Sequence, residues 1–202
     1  MTEKDSITEL VGQILDGTEL RLRIDSYRLD ENLKSGTIDV RCELHDERTG
    51  QRDVIQGHGV GLIDAVFQGL IGLYSEKYPS LKSIRFSDFS VKADVNTARI
   101  AARSDMAAQV TLRVVNSEDK EFVFTHASPS ITRSSLAVVC QAVELFINSE
   151  RAFIAVYRAL QHARDQNRDD SVARYTAQLT TLVEATSYSE VIAQIKKTEL
   201  GR

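Results

Sequence analysis

The sequence predicts an α+β protein made of two tandem βββα units, with one helix before them and a helical extension after them. Three observations lead to this prediction. Apolar and polar residues alternate in several short segments, each group of such segments precedes a stretch with apolar residues at three- and four-residue steps, and this order occurs twice. We expect each unit to form a three-stranded antiparallel sheet covered by its helix, and the two units to pack around a pseudo-twofold axis.

The first predicted element is a helix over residues 5–15. Ser6 lies three residues before Glu9, which is the spacing of a capping box, and Gly17 follows the last apolar position. We therefore assign residues 1–18 to an N-terminal helix.

Residues 19–148 contain the two units. In the first unit we predict strands over residues 20–24, 38–44 and 53–58, a turn at residues 48–50, and a helix over residues 63–78 that ends before Pro79.

The second unit repeats the order of the first. We predict strands around Phe86, over residues 110–114 and over residues 122–124, with a polar turn at residues 116–120. A helix follows, for which Ser128 is the predicted N-cap and Pro129 the first helical residue.

Residues 149–202 form the predicted helical extension. They carry three further stretches of helical periodicity, separated at residues 165–170 and 186–187.

Composition limits the classes of function. With 42% apolar and 27% charged residues and a formal charge of −4 without a block of like charge, the chain offers no electrostatic footprint for nucleic acid. It has no apolar run long enough to cross a membrane and no secretory leader, so we expect a cytoplasmic protein with neither nucleic-acid nor membrane partners. Cys42 and Cys140 are expected to be buried and reduced.

The sharpest local motif is the glycine-rich turn at residues 57–65, GHGVGLIDA. Alternate glycines let a backbone approach a ligand or another backbone, and the start of the following helix attracts anions. The motif lacks the Lys-Ser/Thr of a P-loop and the spacing of a dinucleotide fingerprint. Two interpretations therefore stay open, a tight structural turn and a site for a small anion or an amino acid.

No other pattern predicts catalysis. The four histidines are scattered without metal-ligand spacing, and the serines near residue 130 lack a nucleophile elbow. Asp64 and Asp105 lie near turns, where a lone carboxylate more often caps a backbone than abstracts a proton. We expect no catalytic residues, no metal and no cofactor.

Residues 20–147 resemble the C-terminal regulatory domain of 2-isopropylmalate synthase and of its relative citramalate synthase. The likeness rests on LRIDSYRL at residues 22–29, GHGVGLIDAVFQGL at 57–70 and SPSITRSSLAVVCQAV at 128–143. Residues 88–90 (DFS) and 104–110 (SDMAAQV) resemble two strands of the family. The catalytic barrel of those enzymes is not matched, and 202 residues are too few for a (β/α)₈ barrel.

The resemblance implies a feedback-inhibition module that binds leucine or isoleucine where units and subunits meet. The implied ligand-binding residues are Gly59, Val60, Gly61, Leu62, Ile63, Phe86, Phe89, Ala93 and Met106. Val60 stands where the family has a polar Asn, Leu62 where it has Pro, Phe89 where it has Tyr, and Met106 where Ala is common. The lost amide and the added volume predict weak binding of a branched-chain amino acid, or a different ligand.

We therefore expect a non-catalytic homodimer that senses a small metabolite. The alternative is an interaction module that has lost ligand binding and docks a separate synthase subunit. A third interpretation is that the chain is an enzyme in its own right. The sequence shows no convergent set of reactive groups that would support it.

Overall fold

The computed structural model describes residues 3–93 and 107–183. These residues form two three-stranded antiparallel sheets and four α-helices, which confirms the predicted α+β class. The first unit and the helix before it comprise α1 (Glu3–Leu15), β1 (Leu22–Asn32), β2 (Thr37–Asp46), β3 (Arg52–Gly59) and α2 (Leu62–Tyr74). The rest comprises a 3₁₀ turn (Pro79–Ser83), β4 (Arg85–Ala93), β5 (Ala108–Val115), β6 (Glu121–Ser128), α3 (Ile131–Asp165) and α4 (Asp169–Val183).

The two sheets have matching strand order and register. The orders are β1-β2-β3 and β4-β5-β6, so β1 and β4 are both edge strands. Each of them carries one register shift near its start, between Ile24 and Ser26 in β1 and between Phe86 and Asp88 in β4. This shared irregularity aligns the two units residue by residue.

Beyond the register shift, each residue of β4 has a counterpart in β1. Tyr27 pairs with the buried Cys42, and Phe89 pairs with the buried Leu112. Two residues further along, Leu29 and Val91 correspond in the same way. These side chains lie on the core-facing side of their sheets because their cross-strand partners are buried there.

The first two helices differ from their predicted bounds. α1 already includes Glu3, so Ser6 lies inside the helix instead of capping it. α2 ends at Tyr74, where the backbone N–H of Ser75 donates to Ile71, and a 3₁₀ turn beginning at Pro79 follows.

The predicted N-cap of the third helix is wrong. The Oγ of Ser130 accepts a hydrogen bond from the backbone N–H of Arg133 at 3.2 Å, so Ser130 is the N-cap and Ile131 the first helical residue. Ser128 belongs to β6, and its hydroxyl donates to the carbonyl oxygen of Ser130 at 2.8 Å. Strand β6 therefore extends to Ser128, and the helix begins at Ile131, two residues later than predicted.

Helix α3 joins the second unit to the helical extension. Its 35 residues pass without interruption through the boundary that we expected between residues 148 and 149. It contacts both sheets as well as α1, α2 and α4, and its side chains are part of a single hydrophobic core. The ring of Phe146 meets Phe122 of β6 edge-on at 5.4 Å between centroids.

The remaining helical predictions fall partly inside the described residues. The predicted break at residues 165–170 is confirmed, because α3 ends at Asp165 and α4 begins at Asp169. The predicted third segment, with its break at residues 186–187, lies outside the described residues. Cys42 and Cys140 are free and buried, as expected. Within residues 3–93 and 107–183, no helix has the length and apolarity needed to cross a membrane.

Candidate functional site

The glycine-rich turn joins β3 to α2. Gly57 and Gly59 are the last glycines of β3, and Gly61 is the N-cap of α2 with an extended backbone. Because glycine has no side chain, the cap leaves the first backbone N–H groups of α2 without a side-chain acceptor from this residue.

Two of the three glycines are required by packing. A Cβ on Gly57 would lie 1.8 Å from the carbonyl oxygen of Ala65, and a Cβ on Gly59 would lie 2.5 Å from the carboxylate of Asp64. A Cβ on Gly61 would meet nothing within 4 Å. Gly57 and Gly59 therefore let α2 lie directly on β3, which favours the structural interpretation for them, while Gly61 stays open to either interpretation.

Asp64 occupies the first turn of α2. Its Oδ2 accepts a hydrogen bond from the backbone N–H of Val60 at 3.0 Å. A carboxylate here compensates the positive end of the helix and holds the loop closed. An anionic ligand at this turn would have to bind beside Asp64.

The other expected site residues are divided between the core and the surface. Leu62, Ile63 and Phe86 are half-buried against the core, and the ring of Phe86 lies 4.6 Å from that of Phe67 on α2. Val60 is 81% exposed and Phe89 43% exposed. Phe86 thus joins β4 of the second unit to the helix of the first.

Two expected site residues have no described side chain. Ala93 is the last residue of β4, and nothing is described of its side chain. Met106 lies outside the described residues. The remaining seven expected residues lie on the turn, on α2 and on β4.

The second unit replaces the glycines with polar side chains. Gly57 pairs with Val40 as His126 pairs with Val110, and Gly59 pairs with Ile38 as Ser128 pairs with Ala108. By the same alignment the N-caps Gly61 and Ser130 correspond.

We use the word seam for the contact between the third strand of a unit and the helix that follows it. In the second unit Ser134, fully buried near the start of α3, lies 3.0 Å from Nδ1 of His126 and 2.8 Å from Oγ of Ser128. Side chains occupy this seam, whereas in the first unit glycine lets the two backbones touch. The second seam is therefore wider and polar.

Three of the cavities bordered by the described residues stand out, and none of these three is lined by any of the nine expected site residues. The largest, of about 840 Å³, lies between α1, the start of β1 and α3. A second, of about 600 Å³, lies between β1 and the first turns of α3, and His126 lines both of these. A shallow third, of about 460 Å³, lies on the outer face of the first sheet.

The largest cavity is bordered by polar side chains of α3 that hold the start of β1. The Oε1 atom of Glu144 accepts a hydrogen bond from the backbone N–H of Leu22 at 2.5 Å. The amide of Asn148 accepts from the N–H of Leu20 at 2.8 Å and donates to its carbonyl oxygen at 2.9 Å. Sequence reasoning missed both residues, because a polar residue inside a long helix gives no signal of a partner more than a hundred residues away.

The cavities hold few groups able to do chemistry. His126 contacts the hydroxyl of Ser134, but a substrate could not reach that fully buried side chain. Burial raises the pKa of the Cys42 thiol to about 11 and raises that of Cys140 further, so both favour the unreactive thiol. Across the two described ranges, no three His, Cys, Asp or Glu side chains are grouped so that they could hold a metal ion.

No protein-family model matches the sequence, and no curated protein matches it.

Proposed function

We propose that the chain is a non-catalytic regulatory module of the cytoplasm that forms a homodimer and binds a small metabolite, with branched-chain amino acids as the first candidates. The resemblance to the regulatory domain of 2-isopropylmalate synthase motivates the ligand class. One structural observation supports the dimer above all others, the pair of uncovered apolar strips on the equivalent edge strands β1 and β4.

Each strip consists of two side chains that face the core side of a sheet without being covered. Tyr27 and Leu29 on β1 are 43% and 38% exposed, and Phe89 and Val91 on β4 are 43% and 41% exposed. Edge strands with exposed apolar residues favour association with another chain. A second copy could cover both strips with one symmetric contact, because the strips are equivalent within the chain.

The turn between β3 and α2 supports the ligand part of the proposal. The open N-cap Gly61 offers backbone donors suited to a carboxylate, and the half-buried Leu62 and Ile63, which follow it in the chain, offer apolar surface. This combination suits an amino acid with an aliphatic side chain.

Light scattering after size-exclusion chromatography tests the dimer. We expect a dimer at micromolar concentration, and a monomer with an unchanged circular dichroism spectrum for the double variant Phe89→Ser with Val91→Ser. Val54→Ser is the matched control, because Val54 is 49% exposed on the opposite face of the first sheet. A monomeric wild-type chain would contradict the proposal.

Thermal unfolding in the presence of leucine, isoleucine or valine tests the ligand. Ligand at 100 times its Kd should add about 2.7 kcal/mol of stability. Val60→Asn, which restores the polar residue of the family, should increase the shift without changing the stability of the free protein, because Val60 is 81% exposed. Absence of a shift with every amino acid would contradict the ligand part and leave the dimer standing.

A second candidate function is docking of a separate synthase subunit. It is favoured by two apolar side chains at exposed tips, Val60 at 81% and Leu33 at 85% exposure. Copurification with a synthase barrel that lacks its own regulatory domain tests it. A variant that lacks the residues after α3 tests whether the rest of the helical extension is needed for this complex. It should end at Asp165, because a cut at residue 149 would divide α3.

A further inference from the structure

We infer a second small-molecule site in the chain, in the cavity of about 600 Å³ between β1 and the first turns of α3, which takes a monocarboxylate with a short apolar body. This site lies outside the nine residues implied by the resemblance and goes beyond the function proposed above.

The cavity is equivalent to the expected site, but the unit that supplies the strand and the unit that supplies the helix are exchanged. The expected site combines the start of α2 in the first unit with β4 of the second. The cavity combines the start of α3 in the second unit with β1 of the first. Because the register shifts of β1 and β4 match, Ile24 of β1 is equivalent to Phe86 of β4, and Tyr27 is equivalent to Phe89. The duplicated fold therefore provides two places of the same design.

The two places differ in whether the structure leaves space for a ligand. In the first unit the Gly57 backbone lies so close to Ala65 that no side chain fits between strand and helix. In the second unit His126 and Ser134 occupy the equivalent seam, and His126 lines the cavity. The residues that replaced the glycines thus border a cavity, and none of the three cavities described above lies at the equivalent place between α2 and β4.

One cation of the lining is free to pair with an anion. Arg23 is fully occupied, because its guanidinium pairs with two carboxylates, Asp25 of the lining at 2.7 Å and Glu47 outside the lining at 2.9 Å. Arg133 is exposed, and its guanidinium has no hydrogen bond or ion pair within residues 3–93 and 107–183. Arg133 is therefore the charged side chain of the lining that a carboxylate could pair with.

The rest of the lining suits an apolar body. Leu22, Ile24, Leu136 and the ring of Tyr27 border the cavity, and the hydroxyl of Thr132 lies beside Arg133 in the chain. A carboxylate paired with Arg133 would place its carbon chain against these residues. One charge-assisted contact with apolar burial is the pattern of a small-metabolite site.

Titration with isovalerate, followed by amide chemical shifts of the full-length protein, tests the site. We expect saturable shifts in residues 22–27 and 130–136, and no saturation with the neutral isostere isovaleramide. Arg133→Gln should weaken isovalerate binding about tenfold or more, since a hydrogen bond to a charged group contributes about 1.5–3 kcal/mol. Arg28→Gln is the matched control, because Arg28 is exposed, also lacks an ion pair in the described ranges and does not line this cavity.

A second variant tests whether the side chains in the seam of the second unit are needed for binding. His126→Gly should reduce isovalerate binding while thermal unfolding shows that the variant remains folded, and if it fails to fold, Arg133→Gln still decides. Absence of saturable binding to the wild-type chain, or equal binding by Arg133→Gln, would overturn the inference. Neither result bears on the proposed function, because Arg133 belongs neither to the two apolar strips nor to the turn between β3 and α2.

Discussion

The carboxylate of Glu144 in the middle of α3 accepts the backbone N–H of Leu22 at the first residue of β1, at 2.5 Å. This bond ties the second unit's helix to the first unit's edge strand. The pKa of Glu144 is raised from 4.5 to about 7, chiefly by burial. The Leu22 N–H and Arg21 lower it, and the carboxylates of Glu47 and Asp46 make smaller contributions that raise it.

Stability should fall as the pH rises through this range. Because the pKa of Glu144 is higher in the folded chain than in the unfolded chain, its contribution is complete below about 4.5 and is lost as the pH approaches and passes 7. The loss amounts to about 3 kcal/mol at most.

Glu144→Gln isolates this effect, because the amide cannot ionise and still offers an acceptor to Leu22. Urea unfolding at pH 5, 6, 7 and 8 should show the variant more stable than the wild type at pH 8 and similar to it at pH 5. The exposed Glu43→Gln should follow the wild-type profile. Parallel profiles for Glu144→Gln and the wild type would contradict the assignment.

Gly57→Ala should destabilise the fold severely. The new Cβ would lie 1.8 Å from the Ala65 carbonyl oxygen, so β3 and α2 would have to separate, at a cost of about 3 kcal/mol or more. Gly61→Ser is the control, because its site is open and serine is a better N-cap, and it should change stability by only a few tenths of a kcal/mol. Urea denaturation of both variants measures the contrast, and equal effects would show that the close approach is not essential.

Asn148→Ala should cost about 1–3 kcal/mol, since it leaves the N–H and the carbonyl oxygen of Leu20 without the side-chain amide that binds both. Arg151→Ala removes only a 3.3 Å contact to the same amide and should cost far less. Hydrogen exchange at Leu20 should accelerate in Asn148→Ala alone. An unchanged exchange rate would mean that the backbone finds another partner.

Ser130→Ala should destabilise the protein by about 1 kcal/mol through loss of the N-cap of α3. Pro129→Ala, which would be damaging if Pro129 opened the helix, should have a smaller effect. Thermal unfolding of the two single variants compares them directly. A larger effect of Pro129→Ala would favour a helix that begins two residues earlier, at Pro129.

Local patterns in the sequence predicted the elements but not their long-range partners. Alternation identified β2, because each of Ile38, Val40 and Cys42 faces a buried core. The same rule shortened β1, because the register shift between Ile24 and Ser26 breaks the alternation and the residues that follow are exposed on both faces. The largest cavity could not be predicted, because it is bordered by Glu144 and Asn148, which bind backbone groups near the start of β1.

The glycine-rich turn shows the same limit at the site. Its spacing allowed either a ligand or a tight backbone contact, and the choice for Gly57 rests on the position of Ala65 in three dimensions. The equivalence of His126 and Gly57 could not be predicted from the sequence either. It follows from the pairing of His126 with Val110 and of Gly57 with Val40.

Helix α3 gives the molecule a mechanical property of its own. A continuous helix of 35 residues is about 50 Å long and does not bend easily. Its first turn borders the cavity beside Arg133, and its last turn adjoins α4. Because the helix is continuous, a displacement of its first turn by a ligand would be passed along its length to the end that adjoins α4.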